Sequence, residues 1–378
     1  MAGIYIHIPF CKSRCIYCNF YSTTAYSNLQ HRYIDAVSKE LVIRQPYLKG
    51  ESIRTVYIGG GTPSLLDEES LRNIFQTLEK TYGLTNCEEI TIEVNPDDIT
   101  KEYLSLLKRF PINRISMGVQ TFDNELLKFI NRRHDAQEAI HAYHLCKEAG
   151  YQNISIDLIY GLPKETITQW ENDIKQVLSL RPNHISAYSL SYEEGTPLFQ
   201  MRKKHLVQEV DEQKSLDCYN LLMEELAEAG YEHYEISNFC LPGQYSRHNN
   251  SYWERIPYLG CGAAAHSYNG NEREWNISDL HLYIIGIENG ERNFQFEELS
   301  SEMQYDEYIM TALRTSKGID LTKLKELFGN ERHDYCLRMA EPHMKNGKME
   351  IENNHLRLSR IGIFVSDDII SDLFSIED

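Results

Sequence analysis

Gly3-Ile-Tyr-Ile-His-Ile-Pro-Phe10 runs directly into Cys11-Lys-Ser-Arg-Cys15-Ile-Tyr-Cys18, so an apolar, strand-forming segment delivers three thiols on one short loop. A loop of this length can turn all three sulfurs inward, and soft thiolates select zinc, copper(I) or an iron–sulfur cluster. A structural zinc site takes four protein ligands and usually draws on a second Cys or His pair further along. Here Asn19 and Phe20 follow, and no such pair does. Three thiolates on a four-iron cluster leave one iron open to a ligand that is not protein. Clustered free cysteines are placed by reactivity and metal binding more than by packing. The other six, Cys87, Cys146, Cys218, Cys240, Cys261 and Cys336, are scattered and read as core residues.

Outward from this loop, the chain alternates short apolar runs with longer amphipathic ones as far as Tyr192, the mark of repeated βα units and a parallel sheet. Strands are expected at Gly3 to Phe10, Arg54 to Ile58, Glu89 to Val94, Arg114 to Val119, Asn153 to Ile159 and His184 to Leu190. Helices are expected at Asn28 to Arg44, Glu68 to Tyr82, Lys101 to Arg109, Ala136 to Ala149 and Ile167 to Leu180. Several strands are almost continuously apolar, which predicts burial on both faces. Six units make an open doubly wound sheet or an incomplete barrel, and in either one ligands gather at the carboxyl ends of the strands. Polar and glycine-rich features recur at those ends: the cysteine loop, then Gly59-Gly-Gly-Thr-Pro63, Glu93-Val-Asn-Pro96, Gln120, and Asp157 ahead of Tyr160-Gly-Leu-Pro163. A glycine run alone is usually a turn, and a lone carboxylate usually a helix cap. Recurrence at successive strand ends predicts one shared pocket.

The cysteine run resembles the cluster motif of the radical S-adenosylmethionine enzymes, through Cys11, Cys15 and Cys18 with Tyr17 before the last. The resemblance implies a 4Fe-4S cluster whose open iron takes the amino and carboxylate groups of S-adenosylmethionine. It also implies an α/β fold, an incomplete (β/α)6 parallel barrel of the radical SAM type. The expected pocket suits a zwitterionic, adenosyl-bearing cofactor. Consecutive glycines let the backbone approach a ligand closely. Glu93 can accept from a ribose or ammonium group, Arg132 offers a planar fork to a carboxylate, and Asp157 can close the network.

With Ile4-Tyr-Ile-His-Ile-Pro-Phe-Cys11 and Ser116-Met-Gly-Val-Gln-Thr-Phe122 added, the chain is similar to the branch containing oxygen-independent coproporphyrinogen III dehydrogenase and the HemW-type haem chaperones. Motif by motif, that resemblance makes Tyr5, Gly60, Gly61, Thr62, Glu93, Gln120, Arg132 and Asp157 the cofactor contacts, Arg132 being chosen over Arg133 by its spacing from His134. Phe20 stands where the dehydrogenases carry a further Cys, and the first strand begins almost at residue 1, without their N-terminal extension. Both departures favour the chaperones. So does His248-Asn-Asn-Ser-Tyr-Trp253, which matches an HNxxYW motif associated with haem handling. His248 is the expected axial haem ligand, flanked by flat faces of Tyr252 and Trp253. Cys261 and His266 are held in reserve.

Composition narrows the partners. The net charge of −18 opposes attraction to phosphate backbones, so nucleic acid is not expected. No run is long and apolar enough for a spanning helix, and the N-terminus lacks the pattern of a signal peptide, so a cytoplasmic protein without an integral membrane segment is expected. Three parts are expected: a core over 1–192, an extension over 193–292 holding the HNxxYW segment, and a small C-terminal α+β module over 293–378. The extension includes an amphipathic run from Asp211 to Ala229. The module has helices near Met303 to Thr315, Leu321 to Phe328 and Tyr335 to Lys345, then a hairpin from Met349 to Leu358 turning at Asn353-Asn354. That order is winged-helix-like, and the acidic balance favours a lid or interaction surface over DNA recognition. The expected function is a haem chaperone holding a 4Fe-4S cluster, S-adenosylmethionine and haem. It would pass haem to an acceptor, a respiratory, membrane-associated protein being one candidate. The alternatives are radical decarboxylation of coproporphyrinogen, and a zinc-stabilised α/β scaffold.

Overall fold

The computed structural model describes residues 1–25 and 29–375. Six parallel strands, β1 (Ala2–Ile8), β2 (Ile53–Gly60), β3 (Glu89–Val94), β4 (Arg114–Gln120), β5 (Asn153–Tyr160) and β6 (His184–Ser189), lie side by side in chain order. Each neighbouring pair is parallel, with a helix in the crossover. The crossover helices at Glu68–Tyr82 and Ile167–Leu180 have the expected bounds, because Asp67 and Thr166 cap them by accepting from backbone N–H groups in the first turn. The first helix is described from Gln30, and its expected start at Asn28 lies outside the described residues. A short helix at Asn124–Phe129, with Asp123 as its cap, was not expected from the sequence.

The strands differ from the expectation in one instructive way. One parity faces the helices and is apolar: Ile4, Ile6 and Ile8 on β1, Ile90 and Ile92 on β3, Ile115 and Met117 on β4, Ile154 and Ile156 on β5. The other parity is enclosed too, yet it is largely polar: Tyr5 and His7, Thr55 and Tyr57, Thr91 and Glu93, Ser116, Ser155 and Asp157, His184 and Ser186. The period-2 alternation therefore separates a dry outer layer from a polar barrel interior. It does not mark two apolar faces.

The parallel set is prolonged at both edges. At one, β8 (Asn238–Cys240) pairs antiparallel with β6 and β7 (Glu232–Glu235) antiparallel with β8; at the other, β9 (Tyr258–Cys261) pairs parallel with β1, followed by β10 (His266–Tyr268), β11 (Glu272–Asn276) and β12 (Phe294–Glu298). The twelve strands form one sheet, and β12 still belongs to it although it lies beyond residue 293, where the module was expected to begin.

Beyond it, Tyr305, Ile309, Leu324, Cys336, Leu356 and Ile369 build a second apolar core. The helix Ser301–Leu313 leads into β13 (Ile319–Asp320), which pairs with a hairpin of β14 (Met349–Glu352) and β15 (His355–Leu358). Asn353 and Asn354 both take the left-handed backbone that such a two-residue turn requires. Between β13 and β14 a helical run, Leu321–Lys345, is broken at Gly329, so the helix expected to end at Phe328 does end there. The chain after the break is helical well ahead of the expected start at Tyr335.

Candidate functional site

The cysteine loop leaves the carboxyl end of β1 and folds over the open end of the barrel interior, above a cavity of about 410 Å³. Cys11, Cys15 and Cys18 all line that cavity, as do Gly60, Gly61, Thr62, Glu93, Gln120, Arg132 and Asp157. All three thiols are free, and the loop is tied down by backbone bonds from Cys11 to Thr23 and from Ile16 to Ile130.

The glycine run has a direct steric cause. Gly61 donates its N–H to Ile8 at 2.7 Å, and a Cβ there would stand 2.9 Å from the Cys11 sulfur. Gly60 has a φ of +116°, and its Cβ would lie 2.7 Å from the His7 ring. A side chain at Gly61 would collide with the thiol loop, and one at Gly60 with the His7 ring on β1.

Two donors reach the sulfurs. Thr62 Oγ1 lies 3.4 Å from Cys11 Sγ, and Arg132 Nη1 lies 3.5 Å from Cys15 Sγ. Arg132 Nη2 also donates to Asn95 Oδ1 at 2.7 Å and to the Gly118 carbonyl. Arg133 is engaged elsewhere, in ion pairs with Asp97 at 2.7 Å and Asp98 at 3.0 Å. Burial pushes the Cys18 thiol up to about 11 and raises Cys11 too. Unpartnered thiolates are thus disfavoured here, and a cationic metal centre reverses that balance. Three soft thiols converging on one cavity, two of them reached by donors, fit the corners of an iron–sulfur cluster. Among the described residues no three His, Cys, Asp or Glu side chains are placed to hold a single metal ion.

Deeper in the barrel lie two carboxylates. Glu93 accepts from Tyr57 Oη at 2.8 Å and from the Gly60 N–H at 3.0 Å. Burial, helped by repulsion from Asp157, still raises it to about 7. Asp157 accepts from Ser116 at 3.1 Å, and burial raises its carboxyl as well. Gln120 closes β4 with a φ of +75° after a bulge, which turns its amide into the cavity. A non-glycine residue in that conformation is strain of the kind found at binding sites.

Two expected site residues lie outside the cavity lining. Tyr5 hydrogen-bonds His7 Nδ1 at 3.0 Å and stacks on Tyr57 at 6.2 Å between ring centroids, so it backs the pocket wall. His248 is the larger correction. Its ring is buried, and both nitrogens are engaged: Nδ1 with Thr55 Oγ1 at 2.8 Å, Nε2 with Tyr252 Oη at 2.8 Å. It stacks on Tyr57 at 5.2 Å and an interplanar angle of 27°. An imidazole with no free nitrogen and no exposed face is not available as an axial ligand in this structure. Cys261 is likewise buried, in β9. His266 is exposed, stacked on Trp275 at 5.8 Å, and its ring makes no hydrogen bond among the described residues. The sequence reasoning passed over Tyr57, Asn95, Ser116, Ser186 and Tyr188, which also line the cavity. Inward parity on β2, β4 and β6 was the available signal for Tyr57, Ser116, Ser186 and Tyr188, and Asn95 directly follows β3.

Comparison with known proteins agrees with this architecture. The Radical SAM superfamily matches residues 5–177, and the HemN C-terminal domain matches residues 299–365. The solved structure of coproporphyrinogen III oxidase (HemN) from Escherichia coli, described as a radical SAM enzyme, superposes with a TM-score of 0.86 over 99% of this chain and 90% of that one. At 23% identity this likeness concerns the fold. Fold and thiol pocket together define a radical SAM protein.

Sequence relatives narrow it. The heme chaperone HemW of Lactococcus lactis is 37% identical over 86% of this chain and 84% of its own, and that of Bacillus subtilis 34% identical over 87% of each. The Escherichia coli protein of the same name is 35% identical over 70% of this chain and 69% of its own. The chain belongs to this HemW family within the radical SAM superfamily.

Proposed function

We propose that the protein is a haem chaperone that carries a 4Fe-4S cluster on Cys11, Cys15 and Cys18, binds S-adenosylmethionine beneath it, and delivers haem to an acceptor protein. The observation that carries the reading is the convergence of three free thiols on one cavity in a chain that matches a heme chaperone over 86% of its length. When bound, the cluster would supply a redox-active iron with one open coordination position. Arg132 and Thr62 would donate to the cluster sulfurs, Gly60 and Gly61 would let the ligand approach the backbone, and Glu93 and Asp157 would accept from its hydroxyl and ammonium groups.

The cavity of about 410 Å³ lies at the small end of the range for small-molecule sites, about 300–1,000 Å³. One adenosyl-bearing ligand accounts for it, so haem is assigned to the outer surface. His266, with Trp275 as a flat neighbour, remains of the three candidate ligands. Phe20, exposed beside the cluster loop, stands where the dehydrogenases carry a Cys, which disfavours porphyrinogen decarboxylation. The reading places the protein in the cytoplasm, and its acceptors include respiratory, membrane-associated proteins. Among the described residues, no helix is long and apolar enough to cross a membrane.

The test is anaerobic reconstitution followed by haem titration and mixing with an apo-haem protein. Bound iron and sulfide, a saturable Soret band and transfer to the acceptor are expected, and His266→Ala should shift that band. Saturable haem binding that is absent would defeat the chaperone reading, as would turnover of coproporphyrinogen.

A further inference from the structure

The helix Arg247–Trp253, which carries the HNxxYW motif, is anchored under the barrel by residues distant in sequence. Both oxygens of Glu89, at the start of β3, accept from its first turn, from the Arg247 N–H at 3.1 Å and the His248 N–H at 3.0 Å. His248 then bonds Thr55 on β2 and stacks on Tyr57. With these contacts made, the next side chain, Asn249, lines the same cavity as the three thiols. Its carboxamide makes no hydrogen bond among the described residues, so donor and acceptor are both unspent.

We propose that Asn249 is a ligand contact of the thiol pocket, hydrogen-bonding the adenosyl part of S-adenosylmethionine, and that the motif helix is anchored to present it. The inference rests on the S-adenosylmethionine reading above. The thiols stand at the carboxyl ends of the strands, whereas the motif helix packs against Thr55 and Tyr57, closer to the start of β2. A ligand whose amino-acid end met the open iron would have Asn249 in the same cavity for its adenosyl part. The chemistry agrees. Charged ends of the ligand are matched by Arg132 and Glu93, while a neutral carboxamide, able to donate and accept at once, complements a ribose hydroxyl or the edge of a purine. His248 is then a positioning residue: its ring supports Tyr57, whose hydroxyl holds Glu93 at 2.8 Å.

The experiment compares wild type, Asn249→Ala and Asn249→Ser after anaerobic reconstitution, with calorimetry for S-adenosylmethionine and a Soret titration for haem. Asn249→Ala should weaken S-adenosylmethionine about tenfold, with iron content, melting temperature and haem spectrum unchanged. Asn249→Ser, which keeps one short polar group, should fall between, and it decides the matter if the alanine variant folds poorly. Unchanged S-adenosylmethionine affinity in the folded variants, or a loss confined to haem, overturns the inference. Wild-type protein that binds no S-adenosylmethionine would instead overturn the functional reading on which it rests.

Discussion

The thiol pocket and the HNxxYW helix both carry motifs that read as binding sites, yet they spend their polar atoms differently. In the pocket, three thiols form no disulfide and the Asn249 amide has no hydrogen-bond partner among the described residues, while the two carboxylates accept from Tyr57 and Ser116. In the helix, His248 has used both nitrogens and lies wholly inside the protein. A buried, fully bonded imidazole is held neutral, its proton affinity lowered to about 3 by burial. The difference teaches that a residue type suited to ligation is evidence only when its ligating atom remains unspent.

The sharpest way to break this comparison is to remove a thiol. Cys11→Ser, Cys15→Ser or Cys18→Ser should each abolish stable cluster binding, read as loss of iron and labile sulfide after reconstitution. Serine at Cys87, Cys146, Cys218, Cys240, Cys261 or Cys336 should leave the iron content as it was. Retention of a full cluster in Cys15→Ser would put the ligands elsewhere.

Next in size is the other half of the contrast. His248→Ala leaves the hydroxyls of Thr55 and Tyr252 without their partner and a void against Tyr57, which should cost roughly 2–4 kcal/mol in urea unfolding. Its haem spectrum should match wild type. A shifted Soret band in folded His248→Ala would return the histidine to the list of ligands and erase the distinction between the two regions.

The smallest expected effect concerns proton linkage at Glu93, whose carboxyl is raised to about 7 from an ordinary 4.5. The raised value means that the folded protein takes up a proton there. Its contribution to stability is fully present below about 4.5 and is lost as pH rises through about 7. A ligand that donates hydrogen bonds or brings an ammonium group prefers the ionised form. Affinity for S-adenosylmethionine should therefore rise about tenfold from pH 6 to pH 8, by the change in ionised fraction. Glu93→Gln should bind more weakly and lose most of that slope. The same slope in wild type and Glu93→Gln would assign the titration to Asp157 or to the ligand.

Much of the fold was legible because its signals are local. The six βα units announced themselves through strand-forming runs and capped amphipathic helices, and Asp67 and Thr166 mark helix starts by chemistry confined to one turn. The hairpin at Asn353-Asn354 is read from two residues. What escaped was composed of weaker or non-local signals. Asn124–Phe129 is too short for a periodic pattern, and β7 to β12 are brief strands defined by the edges they extend.

The candidate site divides along the same line. The spacing of Cys11, Cys15 and Cys18 and the glycines facing them were determined by the sequence alone, since a loop of eight residues brings its own sulfurs together and the motif names the strand ends. The sequence also held the alternation that separates helix-facing from cavity-facing residues, although apolar content by itself misjudged the inner face. Only the tertiary structure decided what became of His248 and Asn249, and which partners the two arginines take. His248 is silenced by Thr55, a residue 193 positions away, and Arg132 meets Cys15 across 117 positions. Hydrogen bonds between such distant residues are set by how strands and helices stack. No property of HNxxYW as a string reveals that its histidine faces inward while the neighbouring asparagine reaches the pocket.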